Sequence, residues 1–110
     1  MNIRIVGEIV VLEPNGEMTT DNGSRELNTT VRELIESGQS KILLNLHSIS
    51  HADSRGIEAL LSAYDTAAND GGRLKFFNLN SGMQYLLSMT KLSMEFDIYP
   101  DERKAMSSLT

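Results

Sequence analysis

The chain predicts one α/β domain spanning residues 1–110, built on a mixed, mostly parallel sheet of about five strands with about four helices. Apolar runs of strand length alternate with helical apolar periodicity along almost the whole sequence. Glycine and asparagine clusters separate these runs, and the segments between successive strands are short enough to be single-helix crossovers. With 110 residues, 40% of them hydrophobic, the chain supports one core and not two.

Each element has its own signal. Ile3-Arg4-Ile5-Val6 and Glu8-Ile9-Val10-Val11-Leu12-Glu13 are rich in β-branched residues, divided by Gly7 and followed by the turn residues Pro14-Asn15-Gly16. They read as a hairpin or paired strands. Met18 to Asn22 continue extended and polar. Leu27, Val31, Leu34 and Ile35 then mark one face of a helix, with Asp21, Asn22 and Ser24 as candidate N-caps and Ser37-Gly38 as its end. Lys41-Ile42-Leu43-Leu44-Asn45-Leu46 reads as a buried central strand. Ile57, Leu60, Leu61, Tyr64, Ala67 and Ala68 mark a second amphipathic helix, stopped by Asn69-Asp70-Gly71-Gly72. Leu74-Lys75-Phe76-Phe77-Asn78-Leu79 is another strand. Ser81-Gly82 opens a shorter helix with Met83, Leu86, Leu87 and Thr90 on one side. Phe96-Asp97-Ile98-Tyr99 is a last strand, closed by Pro100. Asp101 to Leu109 form a last helix with Ala105, Met106 and Leu109 inward.

Composition narrows the function. A net charge of -5 and a pI near 4.9 argue against nucleic acid or an anionic membrane surface as a direct partner. There is no cysteine, hence no disulfide or thiolate chemistry. Arg4 and Glu8 interrupt any apolar run in the first residues, and no segment has the length of a membrane span. A soluble cytoplasmic protein is the expectation. Aromatic residues are few, so methionine and leucine must fill much of the interior.

The most informative stretch is His51-Ala52-Asp53-Ser54-Arg55-Gly56-Ile57, at a strand-to-helix junction. A serine there is a candidate nucleophile, a helix cap or a phosphoacceptor, since helix N-termini favour negative charge. The nucleophile needs a base. Only His47 and His51 exist, both just upstream, and Gly-x-Ser-x-Gly is absent. We expect no catalytic residue and no enzyme. His47, His51 and Asp53 suggest a metal site only if they share a helix face, and Leu46 to His51 does not read as a helix. They read as loop histidines, with no metal. Asn69-Asp70-Gly71-Gly72 and Asn78-Leu79-Asn80-Ser81-Gly82 lack the lysine or glycine spacing of a phosphate-binding loop and read as turns, so no cofactor is expected. Lys91, Glu95, Asp101-Glu102 and Arg103-Lys104 read as solvated surface charge. Asp53 or Ser54 as a cap, and Ser54 as a phosphoacceptor, both remain open.

Over nearly its whole length the chain resembles a STAS domain, the fold of bacterial anti-sigma factor antagonists. The resemblance runs through Gly16-Glu17-Met18, Lys41 to Leu46, Asp53-Ser54-Arg55-Gly56-Ile57-Glu58-Ala59-Leu60, Gly71 to Leu79 and Leu92 to Ala105. The family's hallmark is Asp-Ser-Ser-Gly-Leu opening a helix, and its first serine corresponds to Ser54. Arg55 stands in place of the second serine and Ile57 in place of leucine, while Asn45 and Thr19 stand where many members carry aspartate.

The resemblance implies that Ser54 is phosphorylated by an anti-sigma factor with serine kinase activity. A serine phosphatase acting on phospho-Ser54 is a further implied partner. Asp53, Ser54, Arg55, Gly56, Ile57, Thr19 and Asp21 are the implied partner-binding residues. Gly56 is expected to keep the start of the helix uncrowded for the partner, and Asp53 to position the serine. The alternative implied by the same family is a scaffold or subunit of a signalling or transport complex without a working switch. A monomer or weak dimer is expected, with an edge strand near Ile3 to Val6 available for pairing.

Overall fold

The computed structural model describes residues 1–18, 24–89 and 97–109. Its elements are β1 (Asn2–Val6), β2 (Ile9–Glu13), β3 (Gly16–Met18), α1 (Ser24–Glu36), β4 (Lys41–Asn45), β5 (Ile49–Ala52), α2 (Ser54–Asn69), β6 (Arg73–Phe77), α3 (Ser81–Ser88), β7 (Ile98–Tyr99) and α4 (Glu102–Leu109). The main sheet has five strands in the order β1-β2-β4-β6-β7. Strand β1 runs antiparallel to β2, and β2, β4, β6 and β7 run parallel. The mixed, mostly parallel α/β architecture expected from the sequence is what the chain adopts.

Strands β2 and β4 are buried on both faces, as expected for parallel strands covered by helices. Alternate side chains go to different layers. Val10, Leu12, Ile42, Leu44, Leu74 and Phe76 meet Leu27 and Val31 of α1, Ile57, Leu60, Ala63 and Ala67 of α2, and Met83 of α3. Ile9, Val11, Leu43 and Phe77 meet Ala105 and Leu109 of α4 on the other side. Three helices therefore share one face, and the short α4 covers part of the other.

The hairpin between β1 and β2 turns on Gly7-Glu8, and Gly7 has φ of +62°. A side chain there would strain the left-handed backbone, so the glycine is what lets a two-residue loop close.

Some expectations are refined. Gly16, read as a turn residue, and Met18, read as the start of extended chain, both belong to a strand, Gly16–Met18. It pairs in parallel with β5, forming a small second sheet. His51 therefore lies in a strand and not in a loop. The segment Ile49 to Ala52 is too short to show the alternation that identifies strands. Ala68 faces solvent, whereas Ala63 is fully buried. Asp101 precedes α4 and caps it, its carboxylate accepting the Lys104 amide at 2.9 Å. Glu102 is a surface charge that forms an exposed ion pair with Arg4 of β1. Phe96, Thr90, Lys91 and Glu95 lie outside the described residues.

One polar cluster interrupts the α4 layer. Lys75 of β6 is nearly buried. Its ammonium lies 3.4 Å from Asp97 Oδ1, donates to the Tyr99 hydroxyl at 3.2 Å and sits 5.3 Å from the centre of the Tyr99 ring. Asp97 also accepts a hydrogen bond from Tyr64 of α2. A buried lysine is tolerated because its charge is paired and hydrogen-bonded. The bond to Asp97, with burial and that carboxylate's charge, pushes the Tyr64 phenol up to about 12. Hydrogen bonds from Ser108 and Lys75 hold the Tyr99 phenol below its ordinary value.

Between pH 10 and about 12 the unfolded chain has lost the Tyr64 proton while the folded chain keeps it. The contribution of Tyr64 to stability is therefore complete below pH 10.0 and is lost as the pH rises through about 12. Spectrophotometric titration of the phenolates should show a late step that Tyr64→Phe removes, and denaturant melts of that variant should lose less stability at alkaline pH. A wild-type titration with no late step would contradict this assignment.

Candidate functional site

The junction between β5 and α2 is built from the residues singled out by sequence. Asp53 has extended backbone, with φ of -110° and ψ of -172°, and is the N-cap of α2. Its carboxylate accepts the amides of Arg55 and Gly56, each at 3.0 Å. Its carbonyl accepts the Ile57 amide at 3.1 Å. The first amides of a helix have no partner within it, so Asp53 satisfies two of them and places its negative charge at the positive end of the helix. Ser54 follows as the first residue of α2. Of the open pair of readings, the cap belongs to Asp53, which leaves Ser54 free of that role.

Ile57 anchors the first turn in the main core. Arg55 and Asp53 are exposed. Gly56 is buried in the first turn of α2. Its backbone lies on the inner side of the turn and donates to Asp53. Thr19 and Asp21 lie outside the described residues.

Strand β5, which leads into Asp53, belongs to the small sheet and not to the main one. Side chains far from it in sequence hold it. Asn80 donates through Nδ2 to the carbonyls of His47 at 3.0 Å and Ile49 at 2.9 Å. Its Oδ1 accepts the Met83 amide at 2.9 Å and so caps α3. One side chain thus ties the start of α3 to the start of β5. Ser48 donates to Glu13 at 2.7 Å, and its carbonyl accepts the Gly16 amide at 3.1 Å.

Asn45, which stands where many family members carry aspartate, is bonded within the chain. Its Oδ1 accepts the His47 amide at 3.1 Å and Asn78 Nδ2 at 3.3 Å, so it braces the loops after β4 and β6. Asn78 has φ of +59°, a left-handed conformation that asparagine tolerates better than most residues. Sequence reasoning read Asn78 and Asn80 only as turn residues. The signal for Asn80 was present, since an asparagine directly before a helical pattern is a preferred N-cap. Its reach to β5 had no local signal.

Among the described residues no group of three or more His, Asp or Glu side chains is placed to hold a metal ion. No helix among them is long and apolar enough to cross a membrane. The junction presents an exposed acid, Asp53, and an exposed cation, Arg55, at the start of a helix.

The comparisons agree with this geometry. A candidate anti-sigma factor antagonist from Thermotoga maritima is 26% identical over 106 residues, which is 96% of this chain and 94% of that protein. The crystal structure of a T. maritima protein of the same description superposes with a TM-score of 0.85 at 25% identity, covering 97% of this chain and 92% of that one. The Bacillus cell fate determinant SpoIIAA in its phosphorylated form gives a TM-score of 0.76 at 19% identity, covering 99% and 98%. SpoIIAA has also been solved unphosphorylated as an anti-sigma factor antagonist, with a TM-score of 0.70 at 19% identity over 98% and 96% of the two chains. A sulfate transporter family protein from Wolinella succinogenes shares the fold at a TM-score of 0.79 and 16% identity, covering 96% and 87%. The STAS domain profile matches residues 1–105, and the chain belongs to the STAS domain family.

Proposed function

We propose that this chain is an anti-sigma factor antagonist that works as a partner switch. In its unmodified form it docks the Asp53–Ile57 junction on an anti-sigma factor that is also a serine kinase, and so frees the sigma factor. The kinase supplies ATP, magnesium and the chemistry. The Ser54 oxygen bonds to the γ-phosphorus of ATP, its proton passes to a base on the kinase, and ADP leaves. A serine phosphatase reverses the modification. This chain is then a regulator in the cytoplasm and not an enzyme.

The observation that carries this reading is the cap. Asp53 holds two amides of α2, so Ser54 begins a 16-residue helix with its capping role already filled. The family, the description of the T. maritima relative and the two modification states known for SpoIIAA support the same assignment. Thr19 and Asp21 would extend the docking surface, and Arg55 adds a cation beside the phosphoacceptor where the family carries serine.

Magnitudes favour release on modification. A phosphate brings roughly -1.5 to -2 charge. At a helix N-terminus this is favourable by about 0.3–1 kcal/mol, so the fold survives. Across an acidic or desolvated partner surface the same charge costs several kcal/mol, and each ~1.4 kcal/mol is tenfold in affinity. Loss of the interface outweighs the local gain.

Incubation with ATP and the partner kinase should add one phosphate, mapped to Ser54 by intact mass and peptide analysis. Ser54→Ala should bind the unmodified partner and take no phosphate. Ser54→Asp should melt like the wild type and lose at least tenfold in partner affinity. Wild-type-like binding by Ser54→Asp would sink the switch, and binding without any modification would favour a scaffold.

A separate expectation concerns the cap. Asp53→Ala should lower unfolding free energy by about 1 kcal/mol. It should also slow phosphate transfer to Ser54. Urea melts and a phosphorylation time course read the two effects, and an unchanged rate would deny Asp53 a positioning role.

A further inference from the structure

Strand β1 forms one edge of the five-stranded sheet, and all five of its residues are exposed. Ile3, Ile5 and Val6 are 55%, 64% and 39% exposed. The register to β2 decides which backbone groups face outward. The two-residue turn at Gly7-Glu8 makes Val6 and Ile9 a hydrogen-bonded pair, and bonded and non-bonded pairs then alternate along the ladder. Arg4 therefore directs its amide and carbonyl to Val11, and Asn2 directs its own to Glu13. Ile3 and Ile5, opposite Leu12 and Val10, turn theirs away from the sheet. Among the described residues no element pairs with that outer edge.

The outward groups are symmetric about Arg4. We propose that β1 pairs antiparallel with β1 of a second copy of this chain, with the two-fold axis at Arg4, joining two sheets into one. Ile3 of each copy then lies opposite Ile5 of the other. Each such pair exchanges two backbone hydrogen bonds, so every outward amide and carbonyl of Ile3 and Ile5 is used. A register shifted to place Ile5 opposite Ile5 sets Ile3 against the Gly7 turn and loses half of this match.

The side chains agree with the same register. Directly opposite residues share a face, and a two-fold axis normal to the sheet keeps like faces together. Ile3 and Ile5 of both copies then meet on the face that carries α1 and α2, beside Leu12 and Val10. On the other face the two Arg4 side chains stand opposite each other, an unfavourable pair. Each already holds Glu102 of its own α4. Two arginines and two glutamates therefore form a cluster of alternating charge across the axis. A charged residue at the centre of an edge strand limits indiscriminate pairing, and here it leaves one symmetric partner acceptable. The contact is short, below the ~1,200–2,000 Å² of standard interfaces, so the dimer is weak and reversible.

Sedimentation velocity of the full chain from micromolar to millimolar concentration should show a monomer–dimer equilibrium. Ile5→Lys should stay monomeric throughout, with wild-type circular dichroism and melting, because Ile5 is exposed in the monomer. Arg4→Thr should tighten association about two- to fivefold by removing the repulsive pair. Amide exchange should slow at Ile3 and Ile5 with concentration and stay constant at Arg4, whose amide is already bonded. A wild type that remains monomeric into the millimolar range overturns the proposal, and so does a dimer that Ile5→Lys leaves intact. None of these readouts involves Ser54, so they stand apart from the switch.

Discussion

Leu43 and Leu44 are consecutive in one strand and both are fully buried, one toward α4 and the other toward α1 and α2. This double burial is the constraint from which the rest of the fold follows. A strand covered on both faces has no side-chain position to spare for a partner. The available places are the ends of strands and the elements that leave the sheet. The junction at Asp53 is such a place, carried on a strand that, among the described residues, pairs with the three-residue β3.

That arrangement separates two tasks. The main sheet supplies apolar burial, while the loops beyond β4 and β6 are ordered by polar side chains. Asn45, Asn78 and Asn80 join the stretch 45–49 to the stretch 78–80 through single, directed bonds. Such a network is rigid only while each member is satisfied. The junction at Asp53 thus inherits its geometry from amides and carbonyls more than from packing.

Much of this was legible in the sequence because it rests on periodicity. The order of helices and strands and most of the inward faces follow from apolar spacing at Leu27, Val31, Ile57, Leu60, Ala105 and Leu109. The cap at Asp53 follows from residue type and place. What was not legible depends on contacts distant in sequence. The pairing of β3 with β5 joins two runs too short to have a period. The reach of Asn80 to His47 and Ile49 crosses more than thirty residues. Lys75 is nearly buried because Asp97 and Tyr99 arrive from a later part of the chain.

Lys75 has a further meaning during synthesis. The chain is made from its N-terminus, and α4 follows every strand. Until α4 emerges, the sheet face bearing Ile9, Val11, Leu43 and Phe77 has no cover. A charge on that face, on the strand of Phe77 and opposite Leu43, acts as a gatekeeper against sticking to other nascent chains. When Asp97 and Tyr99 arrive, the same ammonium becomes their ligand, and the guard of the unfinished domain is built into the finished one.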